Sequence, residues 1–251
     1  MPSSAVLRSW SVAYVVLVAV HLGAVLADAD ALADVTQCLL MPVLAGVLVV
    51  ATRWPRGRVV TWSLAALGAS FLGDSLPRLL SGDAAFLVMV GCFLLAQVAY
   101  VVAFAPCVRR SIVRTAPAWL VLYGVVLVAL VAVCAPRTGS LLVPVAVYAG
   151  VLTAMAVLAT GLGPFGAAGG AVFLVSDALI ALGRFVPGWD LAGHDVWVML
   201  TYTVGQALLV VAVARDNRER RRVRPLAAVV RTAPPRDNVV ALVAVRRGLE
   251  A

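Results

Sequence analysis

The sequence predicts an all-α integral membrane protein, a bundle of eight transmembrane helices. Two observations carry that prediction. The 251 residues are 63% hydrophobic and 13% charged, with a mean hydropathy of +1.02, whereas a soluble domain has roughly 45–50% apolar and about 25% charged residues. The apolar residues also gather into eight runs of about 20, the length at which a helix crosses a hydrocarbon core of about 30 Å. A water-soluble globule is excluded. The runs are continuous rather than alternating, which speaks against β spans.

In chain order the predicted spans are 10–27, 35–52, 59–79, 84–106, 116–135, 141–160, 164–186 and 196–214. The first follows Arg8 and ends in small residues, as a signal peptide does, but it heads seven further runs and reads as a retained span. In the seventh, Gly161, Gly163, Gly166, Gly169 and Gly170 make a small-residue entry suited to close helix packing. The loops between the spans alternate in charge. Arg8, then Arg53, Arg56 and Arg58, then Arg109, Arg110 and Arg114, and finally the tail fall on one side; Asp28, Asp30, Asp34, Asp83, Asp190 and Asp195 fall on the other. All 20 basic residues are arginine, and 17 lie on the first side, the exceptions being Arg78, Arg137 and Arg184. By the positive-inside rule both termini are cytoplasmic, in an inner (cytoplasmic) membrane.

The chain therefore divides into a transmembrane domain, 1–214, and a basic tail, 215–251. Pro225, Pro234 and Pro235 are expected to break any helix in the tail, which reads as a disordered segment that fixes topology; its arginines would also suit anionic headgroups. The net charge of +8 is accounted for by sidedness, and no nucleic-acid partner is expected. Membrane lipids are the expected surroundings, and the sequence carries no signal for oligomeric state.

The two halves share an order of polar marks. Leu39-Leu40-Met41-Pro42-Val43 parallels Leu141-Leu142-Val143-Pro144-Val145, Phe71-Leu72-Gly73-Asp74-Ser75-Leu76 parallels Leu174-Val175-Ser176-Asp177-Ala178-Leu179, and Ala96-Gln97 parallels Gly205-Gln206. This suggests a four-plus-four parallel repeat, about 10–106 and 116–214, related by an axis along the membrane normal.

An aspartate at membrane depth costs about 2.5–3.5 kcal/mol on insertion scales, so such residues face a bundle interior or cavity. Asp74 and Asp177 are the two candidates, about 22 Å and about 20 Å from the cytoplasmic ends of their spans at 1.5 Å per residue. Pro77 cannot donate to the carbonyl of Gly73 and leaves an acceptor beside Asp74. For Asp74 a second reading stays open, a helix end near the interface with Arg78 snorkelling one turn on. Gln97 and Tyr100 share one face of the fourth span, and Tyr202 and Gln206 one face of the eighth. Ser70 precedes Asp74 by four residues, and Ser176 adjoins Asp177. Singly each suits interhelical hydrogen bonding; together with two acids they make a candidate polar, substrate-binding cavity.

Cys38, Cys92, Cys107 and Cys134 lack paired spacing, and His21 and His194 lack ligand-spaced partners, so neither a disulfide framework nor a metal site is expected. No phosphate-binding glycine loop, nucleophile elbow or zincin motif occurs, and no cofactor is expected.

At these residues the chain resembles the YhhN-type lysoplasmalogenase family of multispan membrane proteins. Residues Gly170 to Asp177, continuing through Ala181 to Phe185, are similar to its Gly-Ala-x-x-Phe-x-x-Ser-Asp segment. Phe71 to Leu76 resembles its Leu-Gly-Asp segment, Phe93 to Tyr100 its Phe-x-x-x-His-x-x-Tyr segment, and Tyr202 to Leu209 its Tyr-x-x-x-Gln-x-Leu segment. The resemblance covers about 35–214. It departs at Met41, where the family often has lysine, and at Gln97, where it has histidine.

The resemblance implies hydrolysis of the vinyl ether bond of a lysoplasmalogen, a lyso-ether phospholipid, to a fatty aldehyde and a glycerophospho-head group. Two acids suit that reaction. Protonating the β carbon of a vinyl ether gives an oxocarbenium ion that water captures, so the site needs one protonated acid and one nearby carboxylate. Asp74 and Asp177 form that coupled pair, with neither role assigned. Two other classes fit the same residues. A proton-coupled transporter also uses repeats with midplane acids, and a noncatalytic lipid-binding protein would account for Met41 and Gln97.

Overall fold

The computed structural model describes residues 4–52 and 56–232, and among these it is helical throughout, without strands. The long helices are α1 (Ser4–Leu26), α2 (Asp30–Ala51), α3 (Arg58–Ser75), α4 (Gly82–Phe104), α6 (Trp119–Thr138), α7 (Leu142–Ala159), α8 (Pro164–Phe185) and α9 (His194–Thr232); α5 (Ile112–Thr115) is a single turn. Each of the eight expected spans falls on one long helix. By length and apolarity, seven helical stretches are able to cross a membrane, because Trp119–Leu162 forms one apolar run of 44 residues. That run is broken within itself: Gly139 adopts φ 52 and opens a 3-10 turn, Gly139–Leu141, between α6 and α7. A positive φ is strained for residues with a Cβ, and glycine escapes that strain.

The repeat marks hold unequal places in their helices. Pro42 lies inside α2, whereas Pro144 is the third residue of α7. Asp74 is the penultimate residue of α3, and Asp177 lies well inside α8.

The helices differ in how much of their surface they bury. α3 buries Val59, Val60, Ser63, Ala66, Leu67, Ser70, Gly73 and Asp74, one stripe at helical period. α4 does the same with Phe93, Ala96, Gln97, Tyr100, Ala103 and Phe104, and α8 with Gly166, Gly169, Gly170, Phe173 and Ser176. On α9 the stripe runs from Met199 through Tyr202, Gln206 and Leu209 to Val213. These four stripes, with Leu40, Met41, Leu44 and Leu48 of α2, form the core. α6 buries only Cys134 and Thr138 and turns Val121, Val125 and Val128 outward. α3 packs along α4 and α2, α2 along α1, and α7 against α4, α6 and α8.

Small residues set the closest approaches. A Cβ on Gly169 would meet the Leu209 nitrogen at 2.9 Å, and one on Gly205 would meet the Phe173 nitrogen at 2.9 Å, so α8 and α9 touch backbone to backbone. Gly161, Gly166 and Gly170 face Cys107, Ala159 and Ala156 as tightly.

The chain separates into a unit through Ala214 and a second from Arg215. In the second, α9 continues to Thr232, through Pro225. The sequence expectation that Pro225 would end helical structure is thus corrected. A proline removes one backbone donor and bends a helix, and the turns on either side keep their own bonds. Arg220 and Asp216 pair at 2.6 Å in this stretch. The remainder of the expected tail, 233–251 with Pro234 and Pro235, lies outside the described residues.

Candidate active site

The site is built where α3 stops being an α-helix. Pro77 lacks an N–H, and α3 ends at Ser75 and passes into a 3-10 segment, Leu76–Leu79. The side chain of Arg78 folds back over this end and donates to the main-chain oxygen of Asp74 at 2.5 Å. The Asp74 carboxyl, 2% exposed, points the other way, into the bundle. Gln37 of α2 donates to its Oδ1 at 3.1 Å, and Tyr202 of α9 to its Oδ2 at 2.8 Å.

Tyr202 is held by aromatic packing. Its ring lies edge-on to Phe93 and to Phe173, with centroids 5.7 Å away in each case. Gly73 makes room for this arrangement, because a Cβ there would come within 2.9 Å of the Phe93 ring. The glycine before the aspartate therefore lets one ring seat another, which in turn aims a hydroxyl at the carboxyl.

Asp177 stands on α8, and Tyr148 of α7 donates to its Oδ2 at 2.6 Å. Next to it, Ser176 donates to the main-chain oxygen of Val198 at 3.0 Å, tying α8 to α9. Both aspartates line one cavity of about 180 Å³, together with Gln37, Ser176, Met199 and Tyr202. A second pocket of about 60 Å³ adjoins it. Met89, Phe93, Asp177 and Ile180 border both, and the second is otherwise walled by Phe86, Val90, Val145, Ala181 and Phe185 with Tyr148. The first cavity carries both acids with Gln37, Ser176 and Tyr202 among apolar side chains, and the second, which shares the Asp177 wall, is almost wholly apolar.

The residues singled out from sequence divide into two groups. Asp74, Asp177, Ser176 and Tyr202 meet in the cavity. Ser70, Tyr100 and Gln206 do not line it; they bond to one another one turn away along α3 and α9 and two turns away along α4. Tyr100 donates to Gln206 Oε1 at 2.6 Å, and Gln206 Nε2 donates to Ser70 at 3.1 Å, all three buried. That network joins α3, α4 and α9 and has the form of interhelical glue. Gln97 is fully buried beside the Tyr148 hydroxyl, and among the described residues neither of its amide atoms meets a partner at hydrogen-bond geometry. Met41 sits in the apolar core. His21, which had no expected role, pairs with Thr36 at 2.9 Å.

Three residues at the site were not picked out as binding residues from sequence: Gln37, Tyr148 and, as a bonding partner rather than a snorkelling charge, Arg78. Arg78 also pairs with Asp34 at 2.9 Å and donates to Gln37 Oε1 at 2.9 Å. The available signal for Gln37 and Tyr148 was the one used for the others, a polar group within an apolar run.

A bundle of long apolar helices enclosing two carboxyls among aromatic and amide side chains defines a multi-pass membrane protein with an interior polar site. The chain belongs to the YhhN family, whose model matches residues 32–213. It is similar to the lysoplasmalogenases of Mycobacterium bovis and Mycobacterium tuberculosis, 33% identical to each over 149 residues, which is 57% of this chain and 57% of each relative. The matched region thus spans little more than half of those relatives' length. No solved structure matches the chain.

Proposed function

We propose that this protein is a membrane-embedded hydrolase that cleaves the vinyl ether bond of lysoplasmalogens, releasing a fatty aldehyde and a glycerophospho-head group. The observation that carries the reading is the pair Asp74 and Asp177 in one cavity that adjoins an apolar pocket. A lyso-ether lipid has the matching form. Its alkenyl chain suits walls such as Phe86, Val90 and Phe185, and its ether oxygen and glycerol suit the chamber beside Asp74, Gln37 and Tyr202. The names of the mycobacterial relatives support the same substrate class.

In this mechanism one carboxylic acid protonates the β carbon, and the C=C electron pair becomes the new C–H bond. The resulting oxocarbenium ion is stabilised by the partner carboxylate, which takes a proton from the water that attacks the α carbon. The hemiacetal then collapses to aldehyde and glycerol hydroxyl, and the two acids return to their starting states. Ser176 and Tyr202 act in the same reading as groups that line and orient the chamber. Ser70, Tyr100 and Gln206 support it from further along the same helices, and Gln97 fills the bundle beside Tyr148.

The chain crosses an inner membrane eight times in this proposal, with α6 and α7 as separate crossings around Gly139. Both termini are cytoplasmic, the transmembrane domain is 1–214, and the halves form a parallel repeat.

The test is aldehyde release from lysoplasmalogens with choline and ethanolamine head groups by purified protein in detergent. Wild type is expected to be active. Asp74→Asn and Asp177→Asn, at matched thermal stability, are each expected to lose at least about 100-fold, within the range that a positioned acid or base supplies. Absence of release by wild type would overturn the reading, and proton flux into proteoliposomes without lipid turnover would favour transport.

A further inference from the structure

The two aspartates are bonded unequally, and the difference has a direction. A guanidinium can only donate hydrogen bonds. Arg78 donates to Gln37 Oε1 at 2.9 Å, so the oxygen of that amide is committed to Arg78 and its nitrogen must face Asp74. The amide orientation is thereby fixed by chemistry. Asp74 Oδ1 can then only accept, while Oδ2 receives the Tyr202 hydroxyl. An ionised Asp74 therefore has a donor for each of its oxygens, the Gln37 amide and the Tyr202 hydroxyl. Arg78 is itself anchored by Asp34, whose side chain is 57% exposed, at 2.9 Å.

Asp177 has one partner, the Tyr148 hydroxyl on Oδ2, and no bond to Oδ1 among the described residues. It is also the one acid of the two that borders the apolar pocket as well as the cavity. A hydroxyl both donates and accepts, so Tyr148 serves a protonated Asp177 as well as an ionised one. The groups around the pair are Gln37 from α2, Tyr202 from α9 and Arg78 for Asp74, with Tyr14 of α1 beyond them, and Tyr148 from α7 for Asp177.

We propose that Arg78 and Gln37 are positioning residues that hold Asp74 as the carboxylate of the pair, leaving Asp177 to carry the catalytic proton. The assignment deepens the hydrolase reading and rests on it for its chemistry. With the chain in the apolar pocket, the β carbon of the vinyl ether lies at the junction where Asp177 stands, and the α carbon lies toward Asp74. Asp177 gives its proton to the β carbon, and Asp74 takes one from the attacking water. Asp74 then returns that proton to the departing glycerol oxygen, while Asp177 recovers one from the hemiacetal hydroxyl. The starting charges are restored, with one water consumed and no other reactant.

The charge assignment is read without substrate by infrared spectroscopy, in an ester-free detergent near neutral pH, from the C=O stretch of protonated carboxyl groups. Wild type is expected to show one such band. Tyr148→Phe is expected to shift it, and Tyr202→Phe to leave it in place. Gln37→Met combined with Arg78→Met is expected to raise its intensity about twofold, as Asp74 takes up a proton; Gln37→Met alone serves, with a smaller rise, where the double variant does not fold. No band in wild type, a band moved by Tyr202→Phe and not by Tyr148→Phe, or unchanged intensity in the Gln37 variants would each overturn the proposal. Because aldehyde release is measured separately, an active enzyme with the wrong spectrum sinks this assignment alone. An inactive enzyme with the expected spectrum sinks the hydrolase reading, and the catalytic roles with it, and leaves the charge assignment of the two aspartates standing.

Discussion

Tyr202 and Gln206 sit one turn apart on α9, and four residues separate two kinds of polar work. Tyr202 reaches into the cavity and bonds Asp74, whereas Gln206 is closed off in a buried network with Tyr100 and Ser70. The proposed site therefore ends between them. Gln206→Met is expected to leave two hydroxyls without their partner and to cost about 1–2 kcal/mol, a fall of several degrees in thermal midpoint. Turnover per folded molecule should stay within about threefold of wild type, a scale set by Gln206 touching neither acid. Melting curves and aldehyde release on one preparation check both halves of that expectation.

At the scale of helices, glycines decide how close the site's walls come. Gly73 and Gly205 are both helical, but an added methyl would meet different things. At position 205 it would strike the backbone of α8, which cannot rotate away, so Gly205→Ala is expected to destabilise by about 1–3 kcal/mol. At position 73 it would meet the flat ring of Phe93, which can move at the expense of its contact with Tyr202. Gly73→Ala should accordingly lower turnover by about tenfold with a smaller loss of stability, since misplacement of catalytic groups is costly even when folding is not. Comparing kcat with thermal midpoint for the two variants tests this division.

Helix positions were legible in the sequence because hydrocarbon thickness fixes the length of an apolar run: each predicted run lies on a long helix, and seven helical stretches are long and apolar enough to cross. Tail structure was less so: a rule about proline was applied to Pro225 as a stop, and α9 runs through it. Asp74, Asp177, Tyr202 and Ser176 were legible as polar residues at membrane depth. Gln37 and Tyr148 were not, because spacing along one helix does not say which neighbour a polar side chain faces. The bond from Arg78 to Gln37 depends on the chain turning back after Pro77, a tertiary event that no periodicity records.

For the whole molecule, the arrangement turns on how the run Trp119–Leu162 crosses the bilayer. As two crossings it brings the termini to one side and places the turn at Gly139 on the side opposite α5. Single cysteines at Arg137 and at Arg114, introduced into a chain with its four cysteines replaced by serine or alanine, should then react with an impermeant maleimide from opposite faces of oriented vesicles. Labelling of both from one face would mean that the run crosses once or not at all, and would remove the parallel repeat with it.

The pocket walled by Phe86, Val90, Val145 and Phe185 lies among α4, α7 and α8, and several of its side chains keep partial exposure on the apolar outside of the bundle. A molecule that enters there arrives from the plane of the bilayer, so the concentration that governs its capture is a mole fraction in two dimensions. Turnover in mixed micelles should fall as inert detergent dilutes the lipid at constant amounts of lipid and protein per volume. A rate indifferent to that dilution would mean that the substrate comes from water instead, by way of the polar end of the site at Asp34 and Arg78.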